Sequence, residues 1–302
     1  MDKDIAVSNN KLSAGLAYFR ELLDMIKFEH TVFALPFAFI ATLAATEGRT
    51  PWRSYFWVLM AMVGARTLAM TFNRVADADL DSENPRTLNR ALPAGRVKLW
   101  MAWVMIGLSA GLFGFAAVTL GPLTAELAPY AFAVLLGYSV AKRFTAWSHA
   151  ILGLALSCAP LGAWAAIAGK IETPAFWLSL GVLTWTTGFD ILYALQDREF
   201  DIKKGLHSIP VELGVHQALI ISRACHLLAA AAWAMFLAEM RATLLPWVSL
   251  AIVAGILFRE QWVVRNGNLD RLDHAFFTLN SLVGPILFLG FFAHWIRFRG
   301  VI

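Results

Sequence analysis

Two stretches of the sequence carry carboxylates at a spacing suited to metal–phosphate chemistry. The first runs Asn73-Arg-Val-Ala-Asp77-Ala-Asp79-Leu-Asp81 and continues to Arg86, Thr87, Asn89 and Arg90. The second runs Asp190-Ile-Leu-Tyr193-Ala-Leu-Gln196-Asp197-Arg-Glu-Phe-Asp201, followed by Lys203 and Lys204. Residues four apart lie on one face of a helix, one turn from each other. The spacing therefore predicts a three-rung ladder of Asn73, Asp77 and Asp81 and a two-rung ladder of Asp197 and Asp201. Asp190 sits two turns before Asp197 on nearly the same face. Mg²⁺ is a hard cation that takes carboxylate oxygen, keeps several waters and bridges a few carboxylates to substrate phosphates. Two ladders facing one another would clamp a diphosphate through Mg²⁺, with Asp77, Asp81, Asp197 and Asp201 as ligands and Asn73 assisting. Arg90, Lys142, Arg143, Lys203 and Lys204 are the basic residues placed to take the remaining phosphate charge. A single such pair in a loop is as readily a solvated face. Two of them, each ending an apolar run on the same side, are harder to reach by accident. Asp79 and Glu83 fall off the ladder and read as solvated.

The elements that must position these residues are membrane helices. Of the 302 residues, 59% are hydrophobic and only 15% charged, against about a quarter charged in a soluble domain. Composition excludes a soluble globular enzyme, a disordered chain and a disulfide scaffold. A bilayer core takes about 20 mostly apolar residues per helix. Runs that qualify cover 31–47, 54–73, 99–119, 126–141, 147–168, 175–194, 216–238, 242–259 and 275–296. The fourth is short and flanked by Pro122 and Pro129, so eight or nine spans are expected, in one domain over 1–302. No run alternates like a barrel strand, and backbone groups cannot be left bare in lipid, so every run is read as a helix.

Lysine and arginine set the orientation. With the N-terminus in the cytoplasm, 18 of the 25 fall on inside segments and 6 outside, while Arg66 lies within the second span. That bias fits a cytoplasmic N-terminus, with both acidic motifs on the cytoplasmic side. The net charge of +4 is no nucleic-acid signal, because it collects at span ends. Residues 1–27 lack the apolar core and cleavage site of a signal peptide. Leu12, Leu16, Phe19, Leu23 and Ile26 recur at helical spacing, which predicts an interfacial amphipathic helix. Arg66 stands two turns before Asn73 on the same face. An intramembrane arginine is costly and faces an interior or a wet cavity, so it is a candidate anion contact; snorkelling to the interface is the plainer alternative. The seven histidines form no zinc pattern and read as interfacial or packed. Cys158 and Cys225 read as packing residues, and Gly107, Gly111 and Gly114 as points of close helix contact.

The two acidic motifs resemble those of the UbiA superfamily of intramembrane aromatic prenyltransferases. The family's first motif, NDxxDxxxD with a following RTxxRPL segment, stands here as Asn73 to Asp81 and Arg86-Thr87-Leu-Asn89-Arg90-Ala-Leu-Pro93-Ala-Gly95. Its second, DxxYAxxDxxxD, is Asp190 to Asp201. Tyr138-Ser-Val-Ala-Lys142-Arg143-Phe-Thr145 is similar to a third segment, Lys27 to Pro36 to the first span, and Asn280 to Gly284 to the last. The sequence departs from the pattern at Arg74, where the family has Asp, and at Ser139 and Ala91, where it has Pro. The resemblance implies an all-α fold of about nine helices around a central cavity, with both motifs at its cytoplasmic end. It is strongest towards bacterial 4-hydroxybenzoate polyprenyltransferases, and extends to relatives acting on dihydroxynaphthoate in menaquinone pathways.

The reaction so implied is electrophilic aromatic substitution: transfer of a polyprenyl group from its diphosphate to the ring of an aromatic acid, with Mg²⁺, in a bacterial inner membrane. Asn73, Lys142, Lys203, Tyr193 and Arg90 are expected to hold the diphosphate. Asp190 or Asp197 would take the phenolic proton, and Arg66 or Arg143 would pair with the acceptor carboxylate. The rival reading is a secondary transporter, since intramembrane Asp and Arg also carry ions. Transport sites, however, sit near the midplane at broken helices, whereas these acids cluster at one end. A catalytically silent structural protein would have no use for two such ladders.

Overall fold

The computed structural model describes residues 21–22, 24–26, 33–265 and 272–298. Every regular element among them is helical: α1 (Leu35–Ala44), α2 (Trp52–Ala76), α3 (Ala78–Glu83), α4 (Leu99–Leu120), α5 (Pro122–Ala141), α6 (Ser148–Ala168), α7 (Thr173–Ala194), a 3₁₀ turn (Leu195–Asp197), α8 (Arg198–Lys204), α9 (Ile209–Glu239), α10 (Leu244–Val263) and α11 (Leu272–Phe298). Eight helices among the described residues are long and apolar enough to cross a membrane. With α1, a shorter apolar helix of 10 residues, they make the expected eight to nine spans. The chain is an integral multi-pass membrane protein.

Local sequence explains where the helices begin and bend. Pro122 opens α5 at its first turn, where a missing N–H costs nothing, and the helix runs on through Pro129. The fourth run is therefore a full span of 20 residues. The seventh starts earlier than its apolar pattern. Ser208 caps α9 by accepting from the Val211 N–H at 3.3 Å, and the helix bends at Gly214, whose φ of 77° only glycine adopts readily. The apolar part follows that bend.

Consecutive long helices pack against each other in sequence, and α11 returns to pack on α1, closing the ring. α1 also packs on α6. The largest buried side chains lock this join: Phe37 of α1 stacks on Trp233 of α9 with centroids 5.4 Å apart and meets Trp185 of α7 at 5.6 Å. In a bilayer, helices associate through close packing rather than water exclusion, so glycines at the contacts decide how near the axes come. Gly153 is such a contact. A Cβ there would press on the Leu183 carbonyl and stand 2.6 Å from Thr187 Oγ1, so α6 and α7 touch backbone to backbone. The expected contacts at Gly107, Gly111 and Gly114 are not found: an added Cβ meets nothing there. The close-contact role falls instead to glycines such as Gly64 against α4, Gly153 against α7 and Gly181 and Gly188 against α9.

Most of the amphipathic segment expected over 1–27 lies outside the described residues. Its described end is buried in protein: Met25 and Ile26 pack with Ala91 and Val97 of the loop after α3, and the Met25 carbonyl accepts from Arg74 Nε at 3.2 Å.

Gly153→Ala should wedge α6 from α7 and cost about 1–3 kcal/mol of stability, as overpacked cores do. Gly107→Ala should be neutral or slightly stabilising by helix propensity. Melting temperatures of the two variants in detergent check this; equal melting points would contradict the close-contact assignment.

Candidate active site

Both acidic motifs fall where a long helix ends. α2 stops at Ala76 and a short helix restarts at Ala78, with Asp77 between them at φ −98°, ψ 5°. α7 passes through the 3₁₀ turn and α8 starts at Arg198, with Asp197 at φ −94°, ψ 0°. The two aspartates thus share one backbone conformation, the bridge region common at active sites. This corrects the uninterrupted ladders expected from spacing. The one-turn register survives in the first motif, where the Asp77 N–H donates to the Asn73 carbonyl at 3.0 Å and the Asp81 N–H to the Asp77 carbonyl at 2.7 Å. On either side of these breaks the carboxylates of both motifs line one shared cavity. Gly205, at φ 64°, then ends α8 in the left-handed conformation.

The cavity is about 620 Å³. Its polar end is lined by Asn73, Asp77, Asp81, Arg86, Arg90, Lys142, Arg143, Asp190, Tyr193, Asp197 and Asp201, and its deeper wall by Phe33, Met70, Leu152, Leu156 and Phe189. Every expected site residue lies here except Lys203 and Lys204, which are exposed and do not line the cavity. Their place at the end of α8 points them outward. Lys204 pairs with Glu83, joining α8 to α3, so Glu83 has a partner and is not merely solvated.

Each of the four ladder aspartates has its own cation. Arg90 Nη1 lies 2.7 Å from both carboxylate oxygens of Asp81. Lys142 Nζ donates to Asp201 Oδ2 at 3.4 Å. Arg143 comes within 3.8 Å of Asp77 and donates to the Ala76 carbonyl at the end of α2. Asp197 is held by Arg86, whose Nε donates to Oδ1 at 2.9 Å and whose Nη2 donates to Oδ2. Arg86 also donates to the Tyr193 hydroxyl at 2.8 Å. It belongs to the loop after the first motif, so it ties the two motifs together. Asp81 and Asp201 are 6% and 2% exposed, burial that only paired carboxylates normally reach.

These surroundings move the ionisation of the groups at the helix ends. Burial pushes the Asp77 carboxyl up, as does the charge of Asp81, while Arg143, Lys142 and Arg90 oppose it. Burial works against the Lys142 ammonium, but Asp201, Asp190 and Asp197 outweigh it and raise its pKa. Arg86 is held firmly charged in the same way: its bonds to Asp197 outweigh burial.

Arg66 differs from the other cations. It lines the cavity, and its buried Nε has no hydrogen-bond partner. No carboxylate lies within ion-pair distance of it among the described residues. Arg74, at the departure from the family pattern, is buried and turned to the Met25 carbonyl and to Asn73 Oδ1. Asn73 in turn donates to Asp77 Oδ2 at 2.9 Å.

Sequence reasoning missed three participants. Arg86 and Asn84 stand in the first motif's tail, yet nothing in their spacing shows that they reach Asp197, at 2.9 and 3.4 Å. The histidines read from sequence as interfacial or packed; His149 is fully buried, but its Nδ1 lies 2.6 Å from Asp190 Oδ2.

The donor set suits Mg²⁺. Among the described residues no three His, Cys, Asp or Glu side chains are gathered into a ready ligand cluster. Mg²⁺ does not need one, because it commonly takes one or two carboxylates and completes its shell with phosphate oxygens and water. Four aspartates around one cavity, all hard oxygen donors, offer that.

Comparison with known proteins agrees. The UbiA prenyltransferase family matches residues 34–282. The 4-hydroxybenzoate octaprenyltransferase of Paracidovorax citrulli is 32% identical over 246 residues, spanning 78% of this chain and 81% of that protein. That of Vibrio vulnificus is 32% identical over 269 residues, spanning 84% and 89%. The apo structure of a UbiA homologue from Aeropyrum pernix superposes with a TM-score of 0.81 at 30% identity, covering 88% of this chain and 98% of that one. A homologue from Archaeoglobus fulgidus, solved with GPP and Mg²⁺, shares the fold at a TM-score of 0.73 and 18% identity, covering 91% and 99%.

Removing one member of a buried ion pair should hurt more than removing both charges. Arg90→Met should lower the melting temperature through the stranded Asp81 carboxylate, and adding Asp81→Asn should recover part of the loss, with a coupling of about 1–3 kcal/mol. Thermal unfolding of the singles and the double variant reads this; strictly additive losses would show that the pair is not coupled.

Proposed function

The chain belongs to the UbiA prenyltransferase family, and from that premise we propose that it transfers a polyprenyl group from polyprenyl diphosphate to the ring of 4-hydroxybenzoate, in ubiquinone-type quinone biosynthesis. That it is a prenyltransferase follows from the family and its relatives. The acceptor rests chiefly on Arg66, an unpaired guanidinium inside a cavity whose other cations are engaged. A guanidinium with a buried, unpartnered Nε inside a cavity calls for an anion, and an aromatic carboxylate is planar and suits its fork. The names of the bacterial relatives support the same acceptor.

The cavity's residues divide the work. Asp77, Asp81, Asp197 and Asp201 would hold Mg²⁺, with Asn73 orienting Asp77. When bound, the metal neutralises the diphosphate and eases its departure. Arg90, Lys142 and Arg143, each now on a carboxylate, are within the same cavity to meet phosphate oxygens. Arg66 orients the acceptor. Asp190 accepts the phenolic proton. The ring carbon beside that oxygen bonds to the prenyl carbon as its bond to diphosphate oxygen breaks; that carbon's proton then passes to the released diphosphate, and the phenolate so formed takes its proton back from Asp190. Phe33, Leu152, Leu156 and Phe189 keep water from the allylic centre.

We place the whole chain, as one transmembrane prenyltransferase domain, in a bacterial inner membrane with its N-terminus and the cavity mouth on the cytoplasmic side. The excess of lysine and arginine on those segments supports this orientation.

Membranes carrying the protein, given geranyl diphosphate, Mg²⁺ and 4-hydroxybenzoate, should form a prenylated acid detectable by mass; product from dihydroxynaphthoate alone would move the acceptor to the menaquinone class. Asp77→Ala and Asp197→Ala should lower turnover by about 10³-fold or more with the protein still folded. Arg66→Leu should raise KM for the aromatic acid at least about tenfold and leave KM for the diphosphate unchanged. Unchanged KM for the acid would remove Arg66 from the acceptor site.

A further inference from the structure

We propose that His149 is a positioning residue, holding Asp190 so that one chosen carboxylate oxygen faces the acceptor's phenol; this rests on the aromatic prenyl transfer proposed above. His149 sits in the first turn of α6, fully buried, and does not line the cavity. Asp190 lies in α7 and does line it. Their contact, Nδ1 to Oδ2, is 2.6 Å. The other ring nitrogen is also committed: Nε2 accepts the Ile209 N–H at 3.4 Å. Ile209 is the first residue of α9, so its N–H is one of the unpaired donors at a helix start. A nitrogen that accepts a hydrogen bond carries the lone pair, so the proton of a neutral ring sits on Nδ1 and is donated to Asp190. The tautomer is thus set by backbone, and Oδ2 is occupied.

The consequence falls on Asp190. With Oδ2 taken by a donor that cannot move, Oδ1 is left to accept from substrate. In serine hydrolases a carboxylate orients a histidine; here a histidine orients a carboxylate. The scaffold behind the contact is stiff. Gly153, one turn beyond His149, allows α6 to meet α7 at Leu183 and Thr187, and Thr187 Oγ1 donates to the His149 carbonyl at 3.5 Å. Three helices therefore fix one imidazole, and the imidazole fixes the aspartate. Among the described residues no lysine or arginine lies within ion-pair distance of Asp190, unlike the four ladder aspartates. Its partner there is an imidazole whose other nitrogen accepts a hydrogen bond, which suits a base that must receive a proton rather than a metal.

The test uses the full-length protein in detergent with geranyl diphosphate, Mg²⁺ and 4-hydroxybenzoate. His149→Leu should lower kcat about 10- to 100-fold with both KM values within about twofold. His149→Asn, whose amide can donate from nearly the position of Nδ1, should recover most of that loss. In an Asp190→Asn background, His149→Leu should cost nothing more, because the group it positions is already disabled. An equal loss in both backgrounds, or a rise in KM alone, would overturn the proposal. A second reading does not need turnover. In ¹⁵N-histidine spectra of the wild type, the resonance missing from His149→Asn should be the Nδ1–H tautomer; an Nε2–H tautomer there would overturn the proposal even if no acceptor were prenylated. Absence of product from the wild type would instead refute the proposed reaction and leave the spectrum to decide His149.

Discussion

Charge balance in a place with little water governs this site. Four aspartates at the end of an apolar bundle would repel one another and resist burial if left alone. Arg90, Lys142, Arg143 and Arg86 balance them one for one. The pairing has a cost for function, since a carboxylate on an arginine is not free for a metal. It also supplies the remedy. In the reaction proposed above, a metal would exchange onto the carboxylates and a diphosphate onto the guanidinium and ammonium groups, so the number of ion pairs would be kept while the partners change. Charges arranged this way would suit a metal–diphosphate complex better than either part alone.

The same balance explains why the two motifs must lie on separate chain segments yet behave as one site. Arg86 of the first motif holds Asp197 and Tyr193 of the second, and Lys204 beyond the second pairs with Glu83 beyond the first. Asp77 and Asp197 share one backbone conformation at the two helix breaks. Two similar helix–break–helix units, following the second and sixth spans, thus line one cavity.

Much of this was legible in the sequence. Composition and hydropathy sufficed for the spans, because lipid permits so few backbone arrangements. The four-residue spacing identified Asp77, Asp81, Asp197 and Asp201, and Arg66 was conspicuous for its cost within a span. What escaped notice was long-range or geometric. The i, i+4 rule assumes a continuous helix, so it could not place the breaks at Asp77 and Asp197. Arg86 reaches a residue 111 positions away, and His149 one 41 positions away; no local period encodes such pairs. The glycines misled for a related reason. Gly107, Gly111 and Gly114 have the spacing of a helix contact, but α4 turns that face to open space, while the isolated Gly153 is where two backbones meet.

The deep end of the cavity obeys a different constraint from its mouth. Asn280 lines it, and a free amide beside an allylic cation would compete as a nucleophile or hold a water that does. Both ends of this amide are already engaged. Its Oδ1 accepts from Trp185 Nε1 at 2.9 Å, and its Nδ2 donates to Glu260 Oε1 at 2.8 Å. Trp185 is itself clamped between Phe37 and Phe189. The amide therefore acts as a rivet between α7, α10 and α11 and presents little to substrate. Polar groups at the mouth are arranged to exchange partners, and the one set among aromatic side chains is arranged not to. That contrast suits the proposed chemistry: diphosphate release needs mobile charge, whereas the carbon centre it leaves behind must meet only the aromatic ring.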